Sequence, residues 1–237
     1  MVGADGPTHH GALDLSYLRC IQGMVVMAPK DENELKDMLY TGVMYNDGPI
    51  AVRYPRGNGL GVEIKEEFTR LEIGKSEIVA EGQDAAIIAI GNMVDHAVKA
   101  SKLLVQDGYT TTVVNARFVK PLDEDMLMEM CRKFDTIVTA EDNVLMGGFG
   151  SGVIEVIYSP AFIEKGLKKD KDFNIKISKL RIERLGLPDQ FVEHGENSIL
   201  YQRVGLDPQS VANTVKKLIE KQRSGMRLLE PGVSKVM

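Results

Sequence analysis

The sequence has 237 residues, 43% of them hydrophobic and 27% charged, with a formal net charge of −5, which fits a soluble globular chain of one large or two small domains. Residues 1–83 carry 8 basic and 13 acidic side chains and so hold the whole acidic excess, because residues 84–237 balance 21 against 21; no basic face for nucleic acid or anionic lipid is expected. No apolar run nears the roughly 18 residues of a membrane span and no basic-then-apolar leader opens the chain. Cys20 and Cys131 lie in apolar sequence without CxxC spacing, so neither a disulfide framework nor a zinc site is expected, and the compartment is cytoplasmic.

Residues 1–57 and 84–222 alternate short β-rich runs with amphipathic stretches, the pattern of βαβ units around a mainly parallel sheet. The Glu- and Gly-rich stretch 58–83 between them reads as a linker with room for local strands. Val2–Ala4 reads as a strand end and Met24–Ala28 as a strand closed by Pro29. Asp31 and Glu34 form a capping box for a helix whose apolar face is Leu35, Met38, Leu39 and Val43. Ile50–Tyr54 is the next strand, and strand–helix–strand in so short a span makes a right-handed parallel crossover. In the second segment, Ala85–Ile90, Thr110–Val114 and Thr136–Ala140 read as strands. Val94, Ala97, Val98 and Leu104 mark one helix, and Asp123 caps another carrying Leu127, Met130, Cys131 and Phe134. Val153–Tyr158 opens a further helix, Lys165–Lys171 reads as a solvated charged loop, and Ile175–Leu180 as extended chain. Asp207-Pro208 starts the last helix, with Val211, Val215, Leu218 and Ile219 on its apolar face and a loosely held tail after about Lys221.

The densest polar cluster is Asp5-Gly6-Pro7-Thr8-His9-His10-Gly11. If Val2–Ala4 ends a strand, Asp5 and His9 sit at the strand's carboxyl edge, where open α/β sheets place ligands. An imidazole near a carboxylate can relay protons there; the same residues also fit a solvated Asp-Gly turn. Arg56, after the Ile50–Tyr54 strand, falls on the same edge, where a guanidinium is suited to capturing a phosphate or, equally, to a surface turn set by Pro55. Gly147–Gly152 lies between a strand and a helix. It is neither GxGxxG nor a P-loop, so tight packing is favoured over phosphate binding. Glu141 and Asp142 read as hydrogen-bonding loop residues rather than an acid/base pair, and His96 and His194 have no partner readable from sequence.

Longer motifs then add a resemblance. Residues 5–19 (DGPTHHGALDLSYLR), 27–35 (MAPKDENEL), 47–57 (DGPIAVRYPRG), 117–123 (RFVKPLD), 141–152 (EDNVLMGGFGSG) and 186–189 (GLPD) closely resemble the 1-deoxy-D-xylulose-5-phosphate synthase family of transketolase-like enzymes. The match spans about residues 2–219 and is poor around 165–181 and after 223. It implies an α/β chain in which the second half of a pyrimidine-binding domain (1–57) and a linker (58–83) precede a transketolase C-terminal-like three-layer domain (84–237). It also implies a transferase using thiamine diphosphate and Mg²⁺ to join pyruvate to D-glyceraldehyde 3-phosphate for isoprenoid and thiamine precursors. Within that family Asp5 and His9 line the donor and acceptor pocket, Arg56 binds the acceptor phosphate, and His10 has no assigned role.

The cofactor's diphosphate and metal motif, and the glutamate that activates its aminopyrimidine, have no match here. The chain is therefore expected to be inactive alone, to need the family's N-terminal domains and to work as a homodimer. The alternatives are half of another split thiamine-diphosphate enzyme, or a packing and dimerisation module without chemistry.

Overall fold

The structure, a computed structural model, describes residues 1–229. Its elements in chain order are α1 (Asp14–Arg19), β1 (Val25–Met27), α2 (Glu32–Val43), β2 (Ile50–Val52), β3 (Glu77–Ala80), β4 (Ala85–Ala89), α3 (Met93–Gln106), β5 (Thr111–Asn115) and β6 (Phe118–Lys120). They continue with α4 (Glu124–Lys133), β7 (Thr136–Val144), α5 (Phe149–Ile157), α6 (Pro160–Lys169), α7 (Phe173–Lys179), β8 (Arg181–Leu187), α8 (Asn197–Arg203) and α9 (Pro208–Leu229).

The larger sheet runs β3-β5-β4-β7-β8, parallel except for β3 at one edge. Side chains alternate across a strand, and β4 shows why this sheet needs helices on both faces. Ala86 and Ile88 enter one core with α4, α5 and α7, while Ala85, Ile87 and Ala89 enter the other with α3, α8 and α9. The result is the three-layer α/β arrangement expected from sequence. Asp31 and Asp123 cap α2 and α4 through the amides of Glu34 and Met126, and the Asp207 carboxylate accepts the amides of Gln209 and Ser210 at the start of α9.

The smaller sheet has the order β2-β1-β6. β1 and β2 form the expected parallel pair around α2, and β6 reaches over from the second segment to pair antiparallel with β1. Val25, Met27, Met38, Leu71 and Phe118 make its core.

The buried side of α2 differs from the expected apolar stripe. Met38 is buried, but Leu39 and Val43 are exposed, and Glu34, Asp37 and Thr41 face inward instead. The stretch 58–73 accounts for Asp37 and Thr41, since it runs along α2 without a strand partner and its amides need acceptors, while Glu34 answers Asn115 and Arg117. The Glu32 carboxylate accepts from Leu60, Gly61 and Val62, Asn33 from Lys65, Asp37 from Thr69, and the Thr41 hydroxyl from Leu71. Its own backbone amide, and then those of Leu60, Gly61 and Val62, hold the Glu32 carboxyl below its ordinary pKa. The later part of the predicted linker 58–83 contains β3, an edge strand of the larger sheet.

Five further expectations are corrected. Residues 1–4 form no strand. Lys165–Lys171 belongs largely to α6, and Ile175–Leu180 to α7, where Phe173 and Ile177 are buried one turn apart while Ile175 is exposed. Cys20 is exposed, whereas burial pushes the Cys131 thiol up to about 12. The expected tail is helical through Leu229, and residues 230–237 lie outside the described residues.

Glu34 joins the two segments. Its carboxylate, 3% exposed, accepts from Asn115 Nδ2 (2.8 Å), Arg117 Nε (2.7 Å) and the Lys30 amide (2.7 Å). Glu77 accepts from Arg117 Nη2 and Lys30 Nζ, closing the network. Removing one partner from a buried ionic cluster strands the others. Glu34→Ala should therefore lower the stability of the purified chain to urea by about 3 kcal/mol, with Glu34→Gln costing less because one acceptor oxygen remains.

Candidate active-site rim

Asp5 and Arg56, 51 residues apart, form an ion pair between the loop of residues 3–11 and the turn after β2. Both are well exposed (44% and 61%), so the pair itself contributes little stability and leaves the guanidinium open to an incoming anion. His9 is exposed on the same loop, with Nδ1 2.9 Å from the Thr8 hydroxyl, and it touches neither Asp5 nor Arg56. Two of the three candidate residues are thus brought together and the third is carried on the same loop. The carboxyl-edge argument holds for Arg56, which follows β2, and fails for Asp5 and His9, which follow no strand.

Two cavities flank this rim. One, of about 460 Å³, is lined by Arg56, Lys30, Tyr54, Asn92, Asp95 and His96 among others, and so lies between the first segment and α3. The other, of about 400 Å³, is lined by Thr8, His10, Leu13, Tyr17, Gln190 and Phe191 among others. Among the described residues no group of three His, Cys, Asp or Glu side chains is placed to hold a metal ion.

Behind the rim, the end of β7 supplies three consecutive buried polar side chains, Glu141, Asp142 and Asn143. Each finds partners in a different segment, with Asp142 Oδ1 alone of their side-chain polar atoms left without one. The two oxygens of Glu141 accept the amides of Phe149 (2.7 Å) and Gly150 (2.8 Å) at the start of α5. That helix end is occupied by the protein's own carboxylate, which bears out packing rather than phosphate binding for the Gly147–Gly152 run. A Cβ on Gly150 would lie 2.5 Å from Thr139 Oγ1, so the close approach requires glycine. Burial raises the Glu141 carboxyl to about 7 despite these donors.

Burial opposes the charge of Asp142, but Arg53 and the Tyr201 hydroxyl hold its carboxyl below the ordinary range. Arg53 also donates to the Asp142 carbonyl (2.8 Å) and the Gly11 carbonyl (3.4 Å), tying β2's end to β7 and to the candidate loop. Asn143 accepts the Leu15 amide and donates to the Ser16 hydroxyl, fixing the start of α1.

Sequence reading missed the supporting groups Arg53, Asn143 and His10. Their signal was present but weak: polar residues at the end of an otherwise apolar run, and a second histidine beside the first. His96 does find partners, with Nδ1 2.7 Å from the Leu206 carbonyl and its ring edge-on to Tyr201. His194 is exposed.

Comparison with known proteins agrees with this architecture. Residues 1–60 match the transketolase pyrimidine binding domain and residues 74–171 the transketolase C-terminal domain. The chain is 47% identical over 220 residues to the 1-deoxy-D-xylulose-5-phosphate synthase of Aquifex aeolicus, covering 93% of this chain and 32% of that protein. It is 49% identical over 212 residues to 1-deoxy-D-xylulose-5-phosphate synthase 1 of Geobacter sulfurreducens, covering 90% and 31%. The chain thus spans about a third of the length of these relatives. A solved split-gene transketolase, described as an inactive beta4 tetramer, superposes with a TM-score of 0.72 at 26% identity, over 93% of this chain and 65% of its own.

The position of Glu141 gives a pH signature. Its folded-state pKa of about 7 lies above the ordinary 4.5, so the folded chain holds this proton more tightly than the unfolded chain does. The stability this confers is fully present below pH 4.5 and is lost as the pH rises through about 7. In urea titrations across that window, Glu141→Gln, which cannot ionise, should remove a decline of roughly 3 kcal/mol.

Proposed function

We propose, for a chain that belongs with the transketolase-type 1-deoxy-D-xylulose-5-phosphate synthases, that it supplies the acceptor side of their active site. The reaction is the condensation of pyruvate with D-glyceraldehyde 3-phosphate to 1-deoxy-D-xylulose 5-phosphate and CO₂. The observation that carries this reading is the Asp5–Arg56 pair, which joins two of the motifs shared with that family on one exposed rim.

In this reading the thiamine diphosphate supplies the electron sink for decarboxylation. It and the Mg²⁺ are held by residues outside this chain, in domains homologous to the first two-thirds of the relatives. Arg56 exchanges the Asp5 carboxylate for the acceptor's phosphate, a dianion that a guanidinium can grip through two parallel N–H bonds. Asp5, freed from that pair, accepts hydrogen bonds from substrate hydroxyls. His9, on the same loop, delivers a proton to the acceptor's carbonyl oxygen as the new C–C bond forms. The chain alone is inactive, and the split-gene transketolase described as an inactive beta4 tetramer supports that expectation. The assembly is a dimer of the completed site, and it works in the cytoplasm. Among the described residues no helix is long and apolar enough to cross a membrane.

The test combines this chain with the amino-terminal two-thirds of a synthase of the family and follows CO₂ release and 1-deoxy-D-xylulose 5-phosphate formation. Native mass spectrometry on the same sample verifies that the two parts associate. Activity in the assembly and none in the chain alone is the expected result; an associated but inert assembly overturns the reading. Within an active assembly, Arg56→Ala should raise the KM for glyceraldehyde 3-phosphate about 10- to 100-fold by removing a charge-assisted contact. His9→Ala should instead lower kcat by about 100-fold or more.

A further inference from the structure

His10 is the buried side chain of the loop of residues 3–11, in which Gly3 and Gly6 are buried as well. It is 3% exposed, while Asp5, Pro7, Thr8 and His9 around it are all exposed. Its two ring nitrogens face opposite demands. Nδ1 lies 3.2 Å from the amide nitrogen of Gly3, which can only donate, so Nδ1 is the accepting nitrogen. Nε2 therefore carries the hydrogen and donates to the carbonyls of Val192 (3.0 Å) and Glu193 (3.2 Å), 182 and 183 residues further along the chain.

The loop is closed on itself between these points. The Gly6 amide donates to the Gly3 carbonyl (3.2 Å) and the His9 amide to the Gly6 carbonyl (3.0 Å), so two consecutive turns run from Gly3 to His9. The Gly195 amide donates to the same Gly3 carbonyl (3.2 Å). Gly3 has φ +85°, and a Cβ there would sit 2.8 Å from the Gly195 carbonyl oxygen, so this approach admits only glycine. Gly3 and His10 are thus the two ends of a clasp, and both ends are seated on residues 192–195 of the second segment.

We infer that His10 is a positioning residue: it clasps the loop bearing Asp5 and His9 onto the carboxyl-terminal segment, which thereby sets the geometry of a site to which it contributes no reacting group. This rests on the roles proposed above for Asp5 and His9. A neutral side chain with an acceptor at one end and a donor at the other is required. Ala has neither, Lys and Arg only donate, and the Gln amide offers both.

The test compares His10→Ala and His10→Gln in the assembled synthase and reads kcat, KM and backbone hydrogen exchange. In the Ala variant kcat should fall at least about tenfold while the KM for glyceraldehyde 3-phosphate rises by less, because the phosphate ligand Arg56 lies outside the clasp and only Asp5 of the binding groups lies inside it. Exchange at the Gly3, Gly6 and His9 amides should speed up at least about tenfold and remain unchanged in α3 and α9. The Gln variant should recover most of kcat and the slow exchange. His10→Asn, smaller and still polar, replaces the Ala variant if that one does not fold, with the same expected losses.

Unchanged kcat in the Ala variant, or a Gln variant as impaired as Ala, overturns the inference. If the unmutated assembly makes no product, the functional reading has failed instead. The exchange measurement then still decides the clasp, and undisturbed protection at Gly3 and His9 would refute it.

Discussion

Three adjacent polar side chains buried at the end of a central strand are the constraint on which this structure turns. Each of Glu141, Asp142 and Asn143 would cost several kcal/mol if left without partners, so the chain must bring partners to them. It does so from three directions: the start of α5 to Glu141, Arg53 and Tyr201 to Asp142, and the start of α1 to Asn143. Satisfying this one strand end therefore determines where the first segment sits on the second. The same contacts hold β2, α1 and the loop of residues 3–11 around a common point.

The Glu34 network is a second tie between the same two segments. It links the start of α2 to β3, to the end of β5 and to Arg117, whose positive φ turns the chain toward β6. With β6 completing the smaller sheet, the first segment is held by shared backbone bonds as well as by buried charge. Two junctions of different chemistry leave it little freedom to rotate, which is what a site assembled from loops needs. The exposed residues proposed to meet substrate, Asp5, His9 and Arg56, stand on groups that are themselves buried and hydrogen-bonded. Division of labour between exposed reactive groups and buried anchors explains why the second histidine of the pair is hidden while the first is not.

Much of the fold was legible because its signals are local. Asp31, Asp123 and Asp207 announce helix starts, since a carboxylate at that position accepts the first turn's free amides. Runs such as Ala85–Ala89 announce buried parallel strands because both faces are apolar. The failures have equally definite causes. Phe173, Ile175 and Ile177 alternate like a strand, yet Phe173 packs on Phe162 and against Gly166, and only a helix buries Phe173 and Ile177 together. Leu39 and Val43 follow helical spacing but lie exposed, because the inward face of α2 carries Glu34, which answers Asn115 and Arg117, and Asp37 and Thr41, which accept the amides of Thr69 and Leu71. Asp5 and Arg56 were readable from their motifs, whereas their pairing depends on a loop and a turn 51 residues apart.

By itself, then, the sequence determined the kinds of elements, their order, the α/β class and the residues able to carry chemistry, because caps, periodicity and motif spacing act over a few residues. Only the tertiary structure decided which polar groups are buried and who answers them. Hydrogen bonds such as those from His10 to Val192 and from Arg53 to Asp142 join positions that no local pattern relates. The cost of burying a polar group unpaired acts on the folded whole, and it is this cost that seats the candidate loop on the carboxyl-terminal segment.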